Sequence, residues 1–279
     1  MSAQSLFRAL SGRLTGLYDG QEAKAIAYLV LKEQFGLDRT AVLTDQPASV
    51  DGDTWSTLLD RLLAGEPVQY VLGRADFYGR SFSVTPAVLI PRPETEELVH
   101  WALQLLPESA SVVDLGTGSG CIAVSVAAER PDARVEAWDI SQEALTVAKA
   151  NAAALTTAVG FHLRDMLDES TWPSETFDAI LSNPPYVKNE EAAGMLPHVL
   201  DHEPHLALFV EDNDPLLFYR SIARFAAGRL RPSGFCLVEI NQALGPETAA
   251  AFTQAGFSSV EIRKDLSGRD RMILARHSS

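Results

Sequence analysis

The sequence predicts an α/β fold: a mostly parallel sheet with helices on both faces and an antiparallel edge, preceded by a small helical bundle and a linking β-hairpin. Three observations predict it. Up to about residue 63, apolar residues recur at helical spacing. Beyond residue 109, short strand-like and helix-like segments alternate, which is the pattern of a parallel sheet with crossover helices. A Gly-rich turn joins the first of these strands to the first of these helices, as at the ligand crevice of doubly wound sheets. The boundaries drawn from these changes are 1–66 for the helical domain, 67–90 for the hairpin linker and 91–279 for the α/β domain.

In the helical part, Leu6, Leu10 and Leu14 fall at fourfold spacing, as do Ala25 and Leu29 with Ile26 and Val30 beside them. Leu58, Leu59, Leu62 and Leu63 supply another apolar face, and Asp19-Gly20 and Gln46-Pro47 punctuate the run. Residues 77–84 read as two short strands around a Gly turn. Pro93 fits the first turn of a helix that ends before Pro107. Strands are then expected at 111–115, 134–138, 161–163, 177–181 and 235–240. Helices are expected at 121–129, after Ser141 as N-cap, and from Asp214-Pro215 through Ile222. Residues 259–262 and 271–275 are expected to pair at one sheet edge.

With 23 Lys+Arg against 37 Asp+Glu, the formal net charge is −14. An enzyme that grips a duplex must neutralise several phosphates, so direct duplex nucleic-acid binding is not expected. Cys121 and Cys236 lie far apart in apolar surroundings and offer neither a metal site nor a disulfide framework; no metal is expected. No apolar run approaches the roughly 20 residues needed to span a bilayer, so no membrane partner is expected. Residues 1–18, with Arg8, Arg13 and no acid, fit an amphipathic first helix, a mitochondrial presequence being the lesser reading. A cytoplasmic location is expected.

The motif Asp114-Leu115-Gly116-Thr117-Gly118-Ser119-Gly120 follows a strand and opens a helix. Glycines there let the backbone turn sharply and approach a ligand, while the helix start offers free N–H groups. A dinucleotide fingerprint would place a third glycine where Cys121 stands. Instead the glycines alternate behind an acid. Asp139, at the end of the second strand, can accept hydrogen bonds from both ribose hydroxyls of an adenosine, though it also fits a capping acid ahead of Ser141. Asp165 is placed to accept from an adenine amino group, with Met166 beside it. Together these residues resemble the S-adenosyl-L-methionine site of Rossmann-like methyltransferases.

The strand at 177–181 delivers Asn183-Pro184-Pro185-Tyr186 at its C-terminal end, where the prolines stop the ladder and hold the flanking side chains rigidly. A methyl sulfonium is already a strong electrophile, so the difficulty lies with the nucleophile. The lone pair of an amide or aromatic amine nitrogen is delocalised. The Asn183 side-chain oxygen can accept one N–H and the Pro184 carbonyl another, orienting that nitrogen for in-line attack, while Tyr186 stacks on the flat group. This tetrapeptide is shared by methylases of adenine N6, cytosine N4 and glutamine amides.

Further motifs narrow the choice. Gly65-Glu66-Pro67-Val68-Gln69-Tyr70, Phe77-Tyr78-Gly79 and Leu89-Ile90-Pro91-Arg92-Pro93-Glu94-Thr95-Glu96-Glu97-Leu98 resemble the peptide chain release factor glutamine-N5 methyltransferases of the HemK/PrmC family. So do Glu203-Pro204-His205-Leu206-Ala207-Leu208-Phe209 and Glu239-Ile240-Asn241-Gln242. The resemblance spans nearly the whole chain and implies the glutamine of a Gly-Gly-Gln tripeptide in class 1 release factors as substrate. It implies Gly116, Thr117, Gly118, Ser119, Gly120 and Asp139 as cofactor-binding residues, and Asn183 to Tyr186 as holding the glutamine, with Asn183 near both. Arg92, Glu94 and Thr95 then belong to the segment that walls the site, and the helical domain docks the protein substrate. Pro93-Glu94-Thr95-Glu96 favours release factors over the related ribosomal-protein glutamine methyltransferases, one alternative; adenine-N6 methylation of nucleic acid is the other. The chain departs from the family pattern at Glu211-Asp212-Asn213-Asp214-Pro215-Leu216, and at Met166, where the family often has an aromatic residue.

Overall fold

The computed structural model describes residues 1–277, which divide into two compact units. The first comprises Met1–Arg74 together with Leu196–His202. Its helices are α1 (Ala3–Leu14), α2 (Gly20–Phe35), α3 (Arg39–Leu43), α4 (Gly52–Leu63) and α5 (Val68–Leu72). Acidic or hydroxyl side chains at the starts of α1 to α4 satisfy amides that a helix leaves free. Ser2 and Ser5 form a reciprocal box on α1, Asp19 accepts from the Gln21 and Glu22 amides at 2.7 and 2.9 Å, and Asp38 and Asp51 cap α3 and α4. The unit's core joins Leu10, Leu14, Ile26, Val30, Leu58, Leu59 and Leu62. On α2 the buried line runs through Ala23, Ile26, Ala27 and Val30; Ala25 is exposed. Of the expected pair only Ala25 lies off the buried face, one residue out of phase with Ile26 and Val30, while Leu29 is partly buried against the core.

The second unit comprises Ala75–Met195 and, of the described residues, 203–277. It opens on the hairpin β1 (Arg74–Phe77) and β2 (Arg80–Ser83), whose turn residues Tyr78 and Gly79 have φ of 49° and 70°, the twist-matching sign for a two-residue hairpin loop. Then follow α6 (Pro93–Leu105), β3 (Ser111–Leu115), α7 (Cys121–Glu129), β4 (Arg134–Asp139), α8 (Gln142–Ala154), β5 (Val159–Leu163), β6 (Phe177–Ser182) and β7 (Val187–Lys188). Past α9 (Pro197–His202), a segment of the first unit, come α10 (His205–Leu208), β8 (Phe209–Val210), α11 (Leu217–Arg229), β9 (Leu230–Glu239), α12 (Gly245–Gln254), β10 (Ser259–Lys264) and β11 (Asp270–Arg276).

Seven strands form one sheet in the order β10-β11-β9-β6-β3-β4-β5. From β9 to β5 every pairing is parallel, while β11 runs antiparallel to both β9 and β10. The expected antiparallel edge is thus present. Alternate side chains serve opposite faces, as strand geometry requires. Val112, Leu181 and Leu237 pack with Leu98, Val99 and Ile122 of α6 and α7. Their neighbours Val113, Ile180, Cys236 and Val238 pack with Tyr219, Ile222, Phe225 and Phe252 of α11 and α12. Chain order reverses direction beside β3, which has β4 on one side and β6 on the other, so a crevice opens at the C-terminal ends of these strands.

Two expected elements differ. The helix after Asp214-Pro215 starts at Leu217; Asp214 instead accepts from Arg220 Nη2 at 2.6 Å, and Pro215 lies in the preceding turn. The strand at 235–240 begins at Leu230, and its register against β6 shifts between Phe177 and Ala179.

Candidate active site

β3 is buried along its whole length, and its turn into α7 is fixed by backbone bonds to the next strand. The amides of Gly116 and Thr117 both donate to the Trp138 carbonyl at 2.9 Å. Thr117 Oγ1 donates to Asp114 Oδ2 at 2.6 Å, drawing the loop back over the strand. Burial pushes the Asp114 carboxyl up to about 7, against the opposing pull of the Thr117 hydroxyl and the Ala123 amide. Gly116, Gly118 and Gly120 all have positive φ. The buried Asn151 of α8 adds a tie from outside the loop: its Nδ2 donates to the Ser119 carbonyl at 2.9 Å.

Asp139 closes β4. Its Oδ2 accepts the Gly118 amide at 2.8 Å and its Oδ1 accepts the Ser141 amide at 2.9 Å. Each oxygen keeps a second lone pair, so two further donors such as a ribose diol can be accommodated. Burial raises the Asp139 pKa, and the amides of Ser141 and Gly118 oppose that rise. Ser141, not Asp139, is the N-cap of α8, accepting the Ala144 amide at 3.1 Å, and Asp139 holds the Ser141 amide in turn. Beyond β5, Asp165 Oδ1 accepts the Leu167 amide at 2.8 Å. The Met166 carbonyl is held by Ser221 Oγ at 2.7 Å and Trp172 Nε1 at 3.2 Å.

At the end of β6, Ser182 Oγ donates to the Leu115 carbonyl at 2.6 Å, tying the start of the Asn183-Pro184-Pro185-Tyr186 segment to β3. Asn183 Nδ2 donates to Thr95 Oγ1 at 3.2 Å, and Thr95 Oγ1 donates to Glu239 Oε2 at 2.6 Å. Tyr186 Oη donates to the other Glu239 oxygen at 3.1 Å. The Tyr186 carbonyl accepts from Asn241 Nδ2 at 3.1 Å. Arg92 pairs with Glu203 at 2.6 Å, and the same carboxylate takes the Ile90 amide at 3.3 Å, fixing the segment that leads into α6.

Several of these residues line one cavity of about 380 Å³, within the size range of small-molecule and cofactor sites. Gly116, Thr117, Gly118, Ser119, Asp139, Asp165 and Met166 line it, and so do Arg92, Thr95, Asn183 and Pro185. Gly120, Glu94, Pro184 and Tyr186 do not line it. Gly120 sits where an added Cβ would lie 3.1 Å from Ala148 Cβ, so its place is in the packing of α7 on α8. Glu94 stands in the first turn of α6, a favourable position for an acid beside the helix N-terminus. Tyr186 is partly buried against the core on the α11 side and is not among the residues lining the cavity.

Four positions with structural leverage on the site were not singled out individually from sequence: Asn151, Glu203, Glu239 and Asn241. Glu239 had a readable signal, since an acid between Val238 and Ile240 in an apolar strand must find buried partners. Among the described residues no group of three or more His, Cys, Asp or Glu side chains is arranged to hold a metal.

Comparison with known proteins matches residues 98–204 to the methyltransferase small domain and residues 5–73 to the PrmC N-terminal domain. The release factor glutamine methyltransferase of Bacteroides thetaiotaomicron is 41% identical over 265 residues, covering 94% of this chain and 95% of that one. The protein of the same name from Flavobacterium psychrophilum is 41% identical over 268 residues, covering 93% and 94%. A solved methyltransferase from Pyrococcus furiosus has a TM-score of 0.54 at 17% identity, covering 80% of this chain and 100% of that one, which shows the shared fold.

Proposed function

The chain belongs to the release factor glutamine methyltransferase family, and from that premise we propose that it transfers the methyl group of S-adenosylmethionine to the N5 side-chain amide of the glutamine in the Gly-Gly-Gln tripeptide of class 1 peptide chain release factors. The observation that carries this reading is the single cavity shared by the Gly-rich loop with Asp139 and by Asn183 with Thr95 and Arg92. A nucleoside cofactor and a planar target group have to meet in one space, and these two residue sets bound one space.

The residues present fit the cofactor. Asp139 has two lone pairs to offer a ribose diol, Asp165 has an oxygen not taken by Leu167 for an adenine amino group, and Met166 flanks Gly116. When bound, S-adenosylmethionine supplies an electrophilic methyl group on a sulfonium. The chain's own task is then orientation. Asn183 Oδ1, on the cavity wall, accepts one N–H of the target amide, aiming the nitrogen lone pair at the methyl carbon and stabilising the positive charge that grows on nitrogen; Pro184, expected to offer a second acceptor, is not on that wall. No strong base is required, because the amide proton becomes acidic once the methyl has transferred. Tyr186, held by Glu239 and Asn241, backs the tetrapeptide from outside the cavity.

The net charge of −14 supports a protein substrate over a nucleic-acid duplex. The helical N-terminal unit is assigned to docking the release factor, and the cytoplasm is the proposed location. No helix among the described residues is long and apolar enough to cross a membrane. The test is incubation with labelled S-adenosylmethionine and, separately, release factor, DNA and RNA, followed by mass spectrometry of the tryptic release-factor peptide. Label on the tripeptide glutamine is the expected result; label only in nucleic acid would refute the reading.

A further inference from the structure

We propose that Glu239, acting through Thr95, sets which end of the Asn183 side-chain amide faces the cavity, and so makes the site selective for a side-chain amide over a side-chain carboxylate. The proposal rests on the functional reading above and deepens it.

An asparagine side chain has an acceptor end and a donor end, and a half-turn exchanges them. Nothing in the covalent structure of Asn183 decides between the two. The decision comes from its neighbours. Glu239 is 1% exposed and Thr95 2% exposed, so solvent does not compete for their bonds. A carboxylate only accepts, and Glu239 takes the hydroxyl proton of Tyr186 at 3.1 Å on one oxygen and that of Thr95 at 2.6 Å on the other. Thr95 has one hydroxyl proton, and it is committed to Glu239. Towards Asn183 the Thr95 oxygen can therefore only accept. Asn183 meets it with Nδ2 at 3.2 Å; its Oδ1 turned that way would set lone pairs against lone pairs. Burial raises the Glu239 pKa, and the Thr95 and Tyr186 hydroxyls together with the Arg271 charge oppose that rise and favour the accepting form.

The consequence appears on the far side of Asn183, which lines the cavity. With Nδ2 committed to Thr95, the end of Asn183 left for a ligand is the Oδ1 acceptor. A target amide brings an N–H for Oδ1. A target carboxylate brings none and sets its own lone pairs against that oxygen. A carboxylate oxygen is itself able to attack a sulfonium methyl, so a glutamine-specific enzyme needs a device that excludes glutamate. Sites built to hydrogen-bond an N–H reject an analogue lacking it by factors on the order of 10⁴. Glu239 is thus a positioning residue. It lies outside the cavity lining and acts by fixing the polarity of a hydrogen-bond chain.

The experiment uses the full chain, S-adenosylmethionine and two release-factor substrates, one natural and one with the tripeptide glutamine replaced by glutamate. The wild type, Thr95→Val, Thr95→Ser and Glu239→Gln enzymes are compared. Methylation is followed by mass spectrometry, inhibition by the glutamate substrate by competition, and cofactor affinity by calorimetry. In Thr95→Val the hydroxyl is gone and the Asn183 amide is free to turn. kcat/KM on glutamine should fall about 10-fold or more, and the glutamate substrate should inhibit about 5-fold or more tightly, with cofactor affinity within about 2-fold. Thr95→Ser keeps the hydroxyl and should restore both values. Glu239→Gln brings an NH₂ into the chain and should shift both values in the same direction as Thr95→Val. Unchanged discrimination in Thr95→Val and Glu239→Gln would overturn the proposal while leaving the enzyme assignment intact, and so would loss of glutamine activity with unaltered glutamate inhibition. A wild-type enzyme that binds cofactor yet methylates no release-factor glutamine would remove the functional reading and this one with it.

Discussion

The Gly118 amide donates to Asp139 Oδ2 at 2.8 Å, so the loop that ends β3 is tied to the acid that ends β4. One carboxylate therefore holds the loop in place and presents lone pairs to the same cavity. Asp139→Ala removes both at once. Charge-assisted hydrogen bonds are worth about 1.5–3 kcal/mol each, so the cofactor dissociation constant should rise roughly 10²-fold. Calorimetric titration of S-adenosylmethionine measures this directly, and a constant within twofold of wild type would count against a ribose contact at Asp139.

Asn183→Ala separates chemistry from binding. The side chain lines the cavity and makes one bond to Thr95, and on the proposed function it supplies the orienting acceptor. Loss of a preorganised acceptor at a developing charge costs about 10²–10³ in kcat. Cofactor affinity should stay within about threefold, because Asp139 and the Gly-rich loop are untouched. Single-turnover methylation together with a thermal melt checks both halves; a variant with normal turnover would strip Asn183 of its role.

How much of this was legible in the sequence depends on the range of the interaction involved. The order β3, Gly-rich turn, α7 is local, and Pro93 at the head of α6 and the Asn183-Pro184-Pro185-Tyr186 segment after β6 are local too; all were readable from residue type and spacing. Asp139 was readable because strand ends in a parallel sheet face one crevice. The chain from Asn183 to Thr95 to Glu239 was not, because each link joins residues brought together only when β6, α6 and β9 are assembled. The early start of β9 was hidden for a related reason. Its first residues, Leu230 to Gly234, include Pro232 and carry turn chemistry, and they join the strand where the ladder with β6 shifts register. The bond from the Tyr186 hydroxyl to Glu239 was hidden in the same way, since it joins the segment after β6 to the end of β9.

Asp114 gives a pH-dependent signature. Its side chain is fully buried, and burial pushes its pKa up to about 7 from an unfolded value near 3.8. A raised folded value means that the folded protein binds this proton more tightly than the unfolded chain. The associated stability is complete below about pH 4 and is lost as pH rises towards 7. At about 1.36 kcal/mol per unit, the contribution lost between pH 5.5 and 8 is on the order of 2 kcal/mol. Asp114→Asn has no proton to lose and can still accept from Thr117. Relative to wild type it should gain stability over that interval. Urea unfolding at the two pH values tests this, and a constant difference between variant and wild type would show that Asp114 does not titrate there.

Gly118 and Gly120 are close in sequence and have φ of 54° and 81°, yet they should fail in different ways when given a methyl group. At Gly120 a Cβ would lie 3.1 Å from Ala148 Cβ and 3.3 Å from Ala148 Cα, and backbone in the middle of α8 cannot retreat cheaply. Left-handed backbone costs an alanine about 1–2 kcal/mol and overpacking adds about 1–3. Gly120→Ala should therefore destabilise the α/β unit by roughly 2–5 kcal/mol, a fall in Tm on the order of 5–20 °C. At Gly118 nothing lies within 4 Å of the added atom, so only the backbone term applies to stability. Gly118 lines the cavity, however, and its amide is the donor to Asp139. Gly118→Ala should melt within a few degrees of wild type while binding S-adenosylmethionine more weakly, about 10-fold or more, because the methyl group and the displaced amide both disturb the cofactor's seat. Thermal melts with and without cofactor separate the two effects. Equal losses of stability in both variants would mean that the loop tolerates neither methyl group for the same reason, and that the packing of α7 on α8 is not what makes Gly120 a glycine.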